Sequence, residues 1–167
     1  EVRQGTQELL LTAPVRDWEI VVGKFLGAWG VITLFLIVTL VYPFLLAWRG
    51  TPEQGPIVTG YLGLWLLSGA MLAIGVFASA LTQYQLVSFI AGVGITLALW
   101  RADAAYRLIS NTTLYSIFQD LTFREHYHVR MLQRGLLDPK DIAYFVGMMI
   151  LFLFLATQIV GTRRWRA

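Results

Sequence analysis

The residues able to do chemistry are few, and most lie in two stretches. His126 and His128 are the only histidines, and the chain has no cysteine, so thiolate catalysis, disulfides and Cys-based metal sites are excluded. Imidazole can ligate a metal, but residues two apart share a face only in a strand. The surrounding sequence reads as helix, so an interfacial or capping role is expected rather than paired ligation. Two histidines on one loop also do not ligate a haem across a bundle in the usual way. No Asp, Glu, Lys, Arg or His lies within the apolar runs 25–47, 57–81, 86–100 and 142–161. Intramembrane ionisable groups mark proton relays and ion pathways, so their absence argues against a proton-driven carrier. An intramembrane enzyme would need a close-set acid or histidine pair buried at one depth. No Gly-rich phosphate-cradling loop of the P-loop kind is present, so the chain does not itself bind and split a nucleotide.

The second stretch is Thr12, Pro14, Val15, Arg16, Asp17, Trp18, Glu19 and Lys24, directly before the first apolar run. Thr12 or Ala13 can cap a helix here, Pro14 fits its first turn, and Asp17 and Glu19 sit where the helix dipole favours acids. Val15, Trp18 and Val22 share a face. A lipid-surface anchor carries a polar face rich in Lys and Arg. This segment instead holds Glu8, Asp17 and Glu19, which anionic lipid repels. It reads as a short helix at the interface, entering the membrane near Lys24 and offering a face to a protein partner; a plain lipid anchor is the alternative.

The elements that position these residues are membrane spans. The chain is 57% hydrophobic and only 14% charged, against roughly 45–50% and about 25% for soluble domains. A net charge of +3 fits a membrane protein with basic ends and does not imply nucleic-acid binding. A span needs about 20 apolar residues, which 25–47, 57–81 and 142–161 supply. The run 86–100 is short and spans only if 81–85 also enters the bilayer. Pro43 is expected to kink the first span near its far end. Small pairs four apart, Gly23/Gly27, Gly75/Ser79 and Gly94/Ala98, are read as close helix packing. Between 101 and 141 the apolar spacing predicts amphipathic helices lying on the membrane. Asp138 is placed to cap the final span with Pro139 at its first position. The cations hugging the span ends, closing in "RRWR", favour cytoplasmic termini.

The run "QGTQELLLTAPVRDWEIVVGKF" resembles a segment of type-2 ABC transporter permeases, in the branch of gliding-motility and copper-enzyme maturation permeases. Gly5, Thr6, Glu8, Leu9, Leu10, Thr12, Pro14, Asp17, Glu19, Gly23 and Lys24 fall on that pattern. "TLVYPFLLA", "GYLGLWLLSGAMLAIGVFASALTQYQ" and the tail from "HVRMLQRGLLDPKDIAYF" to "RRW" follow in the family's order, so the resemblance covers nearly the whole chain. Tyr84 stands where the family more often has Asn. The family's six spans imply two before this chain's first block. The implied fold is an all-α integral membrane bundle with four transmembrane helices. Its parts are a cytoplasmic segment at 1–24, three spans within 25–100 (25–47, 57–81, 82–100), an external amphipathic loop at 101–141, a last span at 142–161 and a basic tail at 162–167.

By the same resemblance, the segment before the first span is a cytoplasmic coupling helix seated on a separate ATPase. Its contact residues would be Thr12, Pro14, Val15, Arg16, Asp17, Trp18 and Glu19, with Lys24 at the interface. His128, Arg134, Gly135, Asp138 and Asp141 match the family in the external loop, with no chemistry assigned. The resemblance implies a non-enzymatic permease subunit in the bacterial inner membrane, exporting substrate. It carries no cofactor of its own, since ATP and Mg are bound by the ATPase partner. A second permease chain and the bilayer are the other partners, with no nucleic acid. The alternative is a non-transporting scaffold or mechanical transducer in a larger membrane complex.

Overall fold

The computed structural model describes residues 16–50, 53–101, 122–124, 126–127 and 135–164, excluding the side chains of Gln54, Arg163 and Arg164. Its elements are α1 (Asp17–Thr39), α2 (Val41–Arg49), α3 (Gln54–Leu81), α4 (Gln85–Trp100) and α5 (Pro139–Arg164). No strand occurs among the described residues. In hydrocarbon no water satisfies backbone N–H and C=O groups, so an apolar chain crossing a bilayer must bond its own backbone, and a helix does this within one segment. Three stretches are long and apolar enough to cross: Asp17–Arg49, Gly55–Leu81 and Pro139–Thr162.

The fourth expected span is shorter than the others. α4 has 16 residues, about 24 Å at 1.5 Å per residue, against a hydrocarbon core of about 30 Å. Residues 82–84 do not extend it. Thr82 is extended (φ −142°, ψ 156°), and its hydroxyl accepts the Tyr84 N–H at 3.1 Å, a local bond that competes with continued helix. The chain reverses here, and α4 runs back antiparallel along α3. A Cβ placed on Gly92 would lie 3.4 Å from the Ala78 Cβ and 3.9 Å from the Gly75 Cα. The close approach of α3 and α4 is therefore made at Gly92, against Ala78 and Gly75. A Cβ on Gly23, Gly27, Gly75 or Gly94 would meet nothing within 4 Å among the described residues.

α3 is the central helix, packed against α1, α4 and α5. Its buried residues Leu66, Leu67, Ala70, Ala73 and Ile74 form one cluster with Phe25 of α1 and with Phe145, Met148 and Met149 of α5. The outward residues of α1, α2 and α4 are themselves apolar, including Phe35, Ile37, Phe44, Phe89 and Ile90. That is the surface lipid requires, because tails are as apolar as the core.

The first span is interrupted at Leu40, one turn before Pro43, as its sequence predicts. Proline has no N–H to give the carbonyl four residues earlier, and its ring crowds that carbonyl. The carbonyl concerned is Thr39, which accepts the Tyr61 hydroxyl of α3 at 2.9 Å instead.

Gly69 marks where α1, α3 and α5 meet. A Cβ there would lie 2.5 Å from the Met149 Cε and 3.1 Å from the Trp29 Cε2. The methionine tip can swing aside; the indole, stacked and hydrogen-bonded, cannot do so freely. Gly69→Leu should therefore lower stability by about 1–3 kcal/mol, the usual cost of overpacking. Gly147→Ala, with nothing within 4 Å, should hold or raise it, since Ala is the better helix former. Thermal unfolding in detergent separates the two; an equal fall for both would contradict the packing described.

Candidate functional site

The described part of the expected docking segment is the first turn of α1. Arg16 is extended (φ −75°, ψ 143°) and holds the N-cap position. Arg16 has no side-chain acceptor with which to cap. The helix start is instead secured by Glu19, whose Oε2 accepts the Arg16 N–H at 3.0 Å, while the Glu19 N–H returns to the Arg16 carbonyl at 2.9 Å. Asp17 and Glu19 sit in this first turn, as the dipole favours. Helix α1 begins at Asp17; the cap expected at Thr12 or Ala13 falls outside the described residues. Thr12, Pro14 and Val15 lie outside the described residues.

α1 is unbroken from Asp17 to Thr39, so the described docking residues belong to the span itself rather than to a separate interface helix. Its anchored side also differs from the expected face of Val15, Trp18 and Val22. Val21 and Phe25 are buried, whereas Trp18 is 49% exposed. Arg16, Glu19 and Lys24 are exposed too. A Cβ at Gly161 would lie 3.5 Å from the Asp17 Oδ2, which places the start of α1 beside the last turns of α5. An exposed tryptophan between two acids, on a helix held from behind by Val21 and Phe25, can seat in a partner's groove.

Above this end, α1 is tied to α3 by indole chemistry. Trp29 and Trp65 stack with ring centroids 4.3 Å apart, and Phe25 lies 5.3 Å from the Trp29 ring. The Trp29 indole donates to the Trp65 carbonyl at 3.2 Å. The Trp65 indole donates to the Thr33 hydroxyl at 2.9 Å, and that hydroxyl donates to the Trp29 carbonyl at 2.8 Å. In the sequence Thr33 is only a polar residue within an apolar run. Trp29 and Trp65 carried no signal beyond their large apolar rings, because pairing them requires the α1–α3 register.

The opposite end holds a buried pair. His126 Nδ1 lies 2.6 Å from Asp141 Oδ1, with His126 5% and Asp141 0% exposed. The interfacial or capping role expected of His126 is thus replaced by a buried hydrogen bond to α5. The imidazole stacks on Tyr144 at 4.1 Å and meets the Phe145 ring near edge-on at 6.3 Å. Phe123, fully buried, stacks on Phe145 at 5.9 Å. Burial also pushes the Tyr127 phenol above its ordinary pKa, so it stays a neutral hydroxyl. In form this is the close-set pair an intramembrane enzyme would show. Such an enzyme would add a nucleophile beside the base, whereas this ring is packed between aromatics as a tie fastening the 122–127 segment onto α5.

Three of the residues matched between 128 and 141 have structural roles. Asp138 caps α5: its Oδ1 accepts the Lys140 N–H at 3.0 Å, its carbonyl accepts the Asp141 N–H at 2.9 Å, and Pro139 opens the helix as predicted. Gly135 has φ +62°, a left-handed conformation that favours glycine. A Cβ on it would lie 3.0 Å from the backbone nitrogen of Pro56, at the start of α3. Asp141 is the histidine's partner. His128 and Arg134 lie outside the described residues.

The sequence model of the ABC-2 family transporter protein family matches residues 1–163. The chain belongs to that family. No curated protein and no solved structure matches it. As an ABC-2 family transporter protein it is a multi-pass membrane component of an ABC transporter and is not itself catalytic, and membership implies an ABC ATPase as partner. The two ends described above are therefore the ends of a transport component. A double-mutant cycle of His126→Ala and Asp141→Ala in the ABC-2 chain should give a coupling of at least about 1 kcal/mol in thermal unfolding, the range of contacting buried groups. Strictly additive losses would show that the pair does not tie the 122–127 segment to α5.

Proposed function

We propose that this chain is the permease subunit of a type-2 ABC exporter in a bacterial inner membrane, and that Arg16, Asp17, Trp18 and Glu19 form the described part of its ATPase-docking surface. Thr12, Pro14 and Val15 complete that surface, with Lys24 at the membrane interface and both termini of the chain on the cytoplasmic side. ATP and Mg stay on the ATPase. Two permease chains, alike or different, work with two such subunits. The branch proposed is that of gliding-motility and copper-enzyme maturation permeases, and the cargo class is a lipid-linked, polysaccharide or protein component.

The observation that carries this reading is the continuity of α1. Its 23 residues extend about 34 Å, from the docking turn past Lys24 and well into a hydrocarbon core about 30 Å thick. A force applied at Trp18 therefore enters the membrane through one unbroken rod, with no loop to absorb it. The ATPase, closing on nucleotide, biases the permease pair between inward- and outward-facing arrangements, and packed helices switch between discrete states rather than deforming continuously.

Buried interface tryptophans are frequent hot spots, costing 2 kcal/mol or more when truncated, which is roughly 30-fold in affinity. Trp18→Ala should weaken association of the ATPase by at least tenfold, measured by titrating the ATPase onto the permease in lipid nanodiscs. Trp18 is half exposed in the chain alone, so membrane insertion and thermal stability should hold. Unchanged association with an ATPase that does bind would place the docking surface elsewhere.

A further inference from the structure

We propose that Tyr61 is a positioning residue of the transport cycle: through its hydroxyl on the Thr39 carbonyl it sets the angle of the α1–α2 junction, and so passes movement of α1 to the far face of the membrane. This rests on the transporter reading above. The argument starts from Pro43, which leaves the Thr39 carbonyl without its in-helix donor. In hydrocarbon an unmade bond at such a group costs several kcal/mol, and the Tyr61 hydroxyl, 2.9 Å away, makes it. A defect in α1 is thus repaired from another helix, so the break and the α3 surface beside it are linked.

The same face of α3 explains why movement is released at this point. Tyr61, Trp65 and Gly69 are four residues apart on that face and meet Thr39, Thr33 and Trp29 of α1 in antiparallel order. The two lower rungs are closed. Trp29, Trp65 and Thr33 form a ring of three hydrogen bonds around a stacked indole pair, and Gly69 admits Trp29 against the α3 backbone. Between Trp29 and Thr33 the two helices therefore move together. Above Thr39 the constraint ends: α2 buries no residue, and Tyr42, Phe44 and Trp48 are 72–81% exposed. Among the described residues, the interhelical bond at the boundary between the locked part and the open part is the one from Tyr61.

The chain's lack of cysteine allows a single-label test. A bimane fluorophore is placed at Leu45→Cys on α2, or separately at Leu26→Cys near the docking end, both exposed positions. The permease–ATPase complex in nanodiscs is compared without nucleotide and trapped with ATP and vanadate. With Tyr61 intact, emission should shift at both positions. In Tyr61→Phe the shift at position 26 should persist and that at position 45 should fall by more than half. A general loss of packing in Tyr61→Phe would lower the response at both positions, which separates a merely structural role. A full response at position 45 in Tyr61→Phe, or an equal loss at positions 26 and 45, overturns the proposal alone. A parent protein that responds at 26 but not at 45 does the same. No response at either position in the parent protein overturns the transporter reading, and the role of Tyr61 with it.

Discussion

Trp65 is bonded to α1 in both directions: its carbonyl accepts the Trp29 indole and its own indole donates to Thr33. In water such bonds would compete with solvent. In lipid their loss strands donors where no water reaches, and interhelical bonds between such side chains are worth about 1–2 kcal/mol each in peptide systems. Much else is arranged around this link. Gly69 has no side chain because Trp29 and Met149 occupy the space where one would go. Phe25, next along α1, packs on Trp29 and joins the buried cluster with Leu66 and Phe145. The two spans are thereby held in one register by polar groups, while apolar packing, tolerant of sliding, fills the rest.

That register turns a sequence feature into a mechanical one. α1 runs from an exposed tryptophan at one end to a proline-broken junction at the other, with its middle fixed to α3. At the far end a separate set of ties closes the bundle: the 122–127 segment is fastened to α5 by His126 and Asp141, and Gly135 approaches the start of α3 at Pro56. The ABC-2 chain thus carries an exposed tryptophan at one end and is laced at the other, and α3, which touches α1, α4 and α5, connects the two.

The spans were legible because hydropathy is a local property. A run of uncharged apolar residues reads the same whatever it later packs against, so α1, α3 and α5 were found, and Pro43 and Asp138–Pro139 marked their interruption and start. α4 was read as a short run that spans only if 81–85 also enters the bilayer; the bond from Tyr84 to Thr82 at that turn is a local choice hydropathy does not register. At Asp17 the helix is held by Glu19 reaching back to Arg16, a bond that residue type did not announce; Thr12 and Pro14, which offered end signals, lie outside the described residues. The partners of His126 and Trp65 were not legible. Asp141 is fifteen residues from His126, and Trp65 is thirty-two from Thr33, so only the fold brings them together, and residue type alone left His126 an unremarkable interfacial histidine.

The central claim is that the Arg16–Glu19 turn receives an ATPase and that α1 carries its action into the membrane. Purifying the full-length protein from its native host in mild detergent, and identifying what accompanies it, tests this most directly. The account predicts a stoichiometric subunit bearing a nucleotide-binding P-loop, absent when residues 16–19 are scrambled. Co-purification of other membrane subunits without any ATPase would contradict it and point to a scaffold.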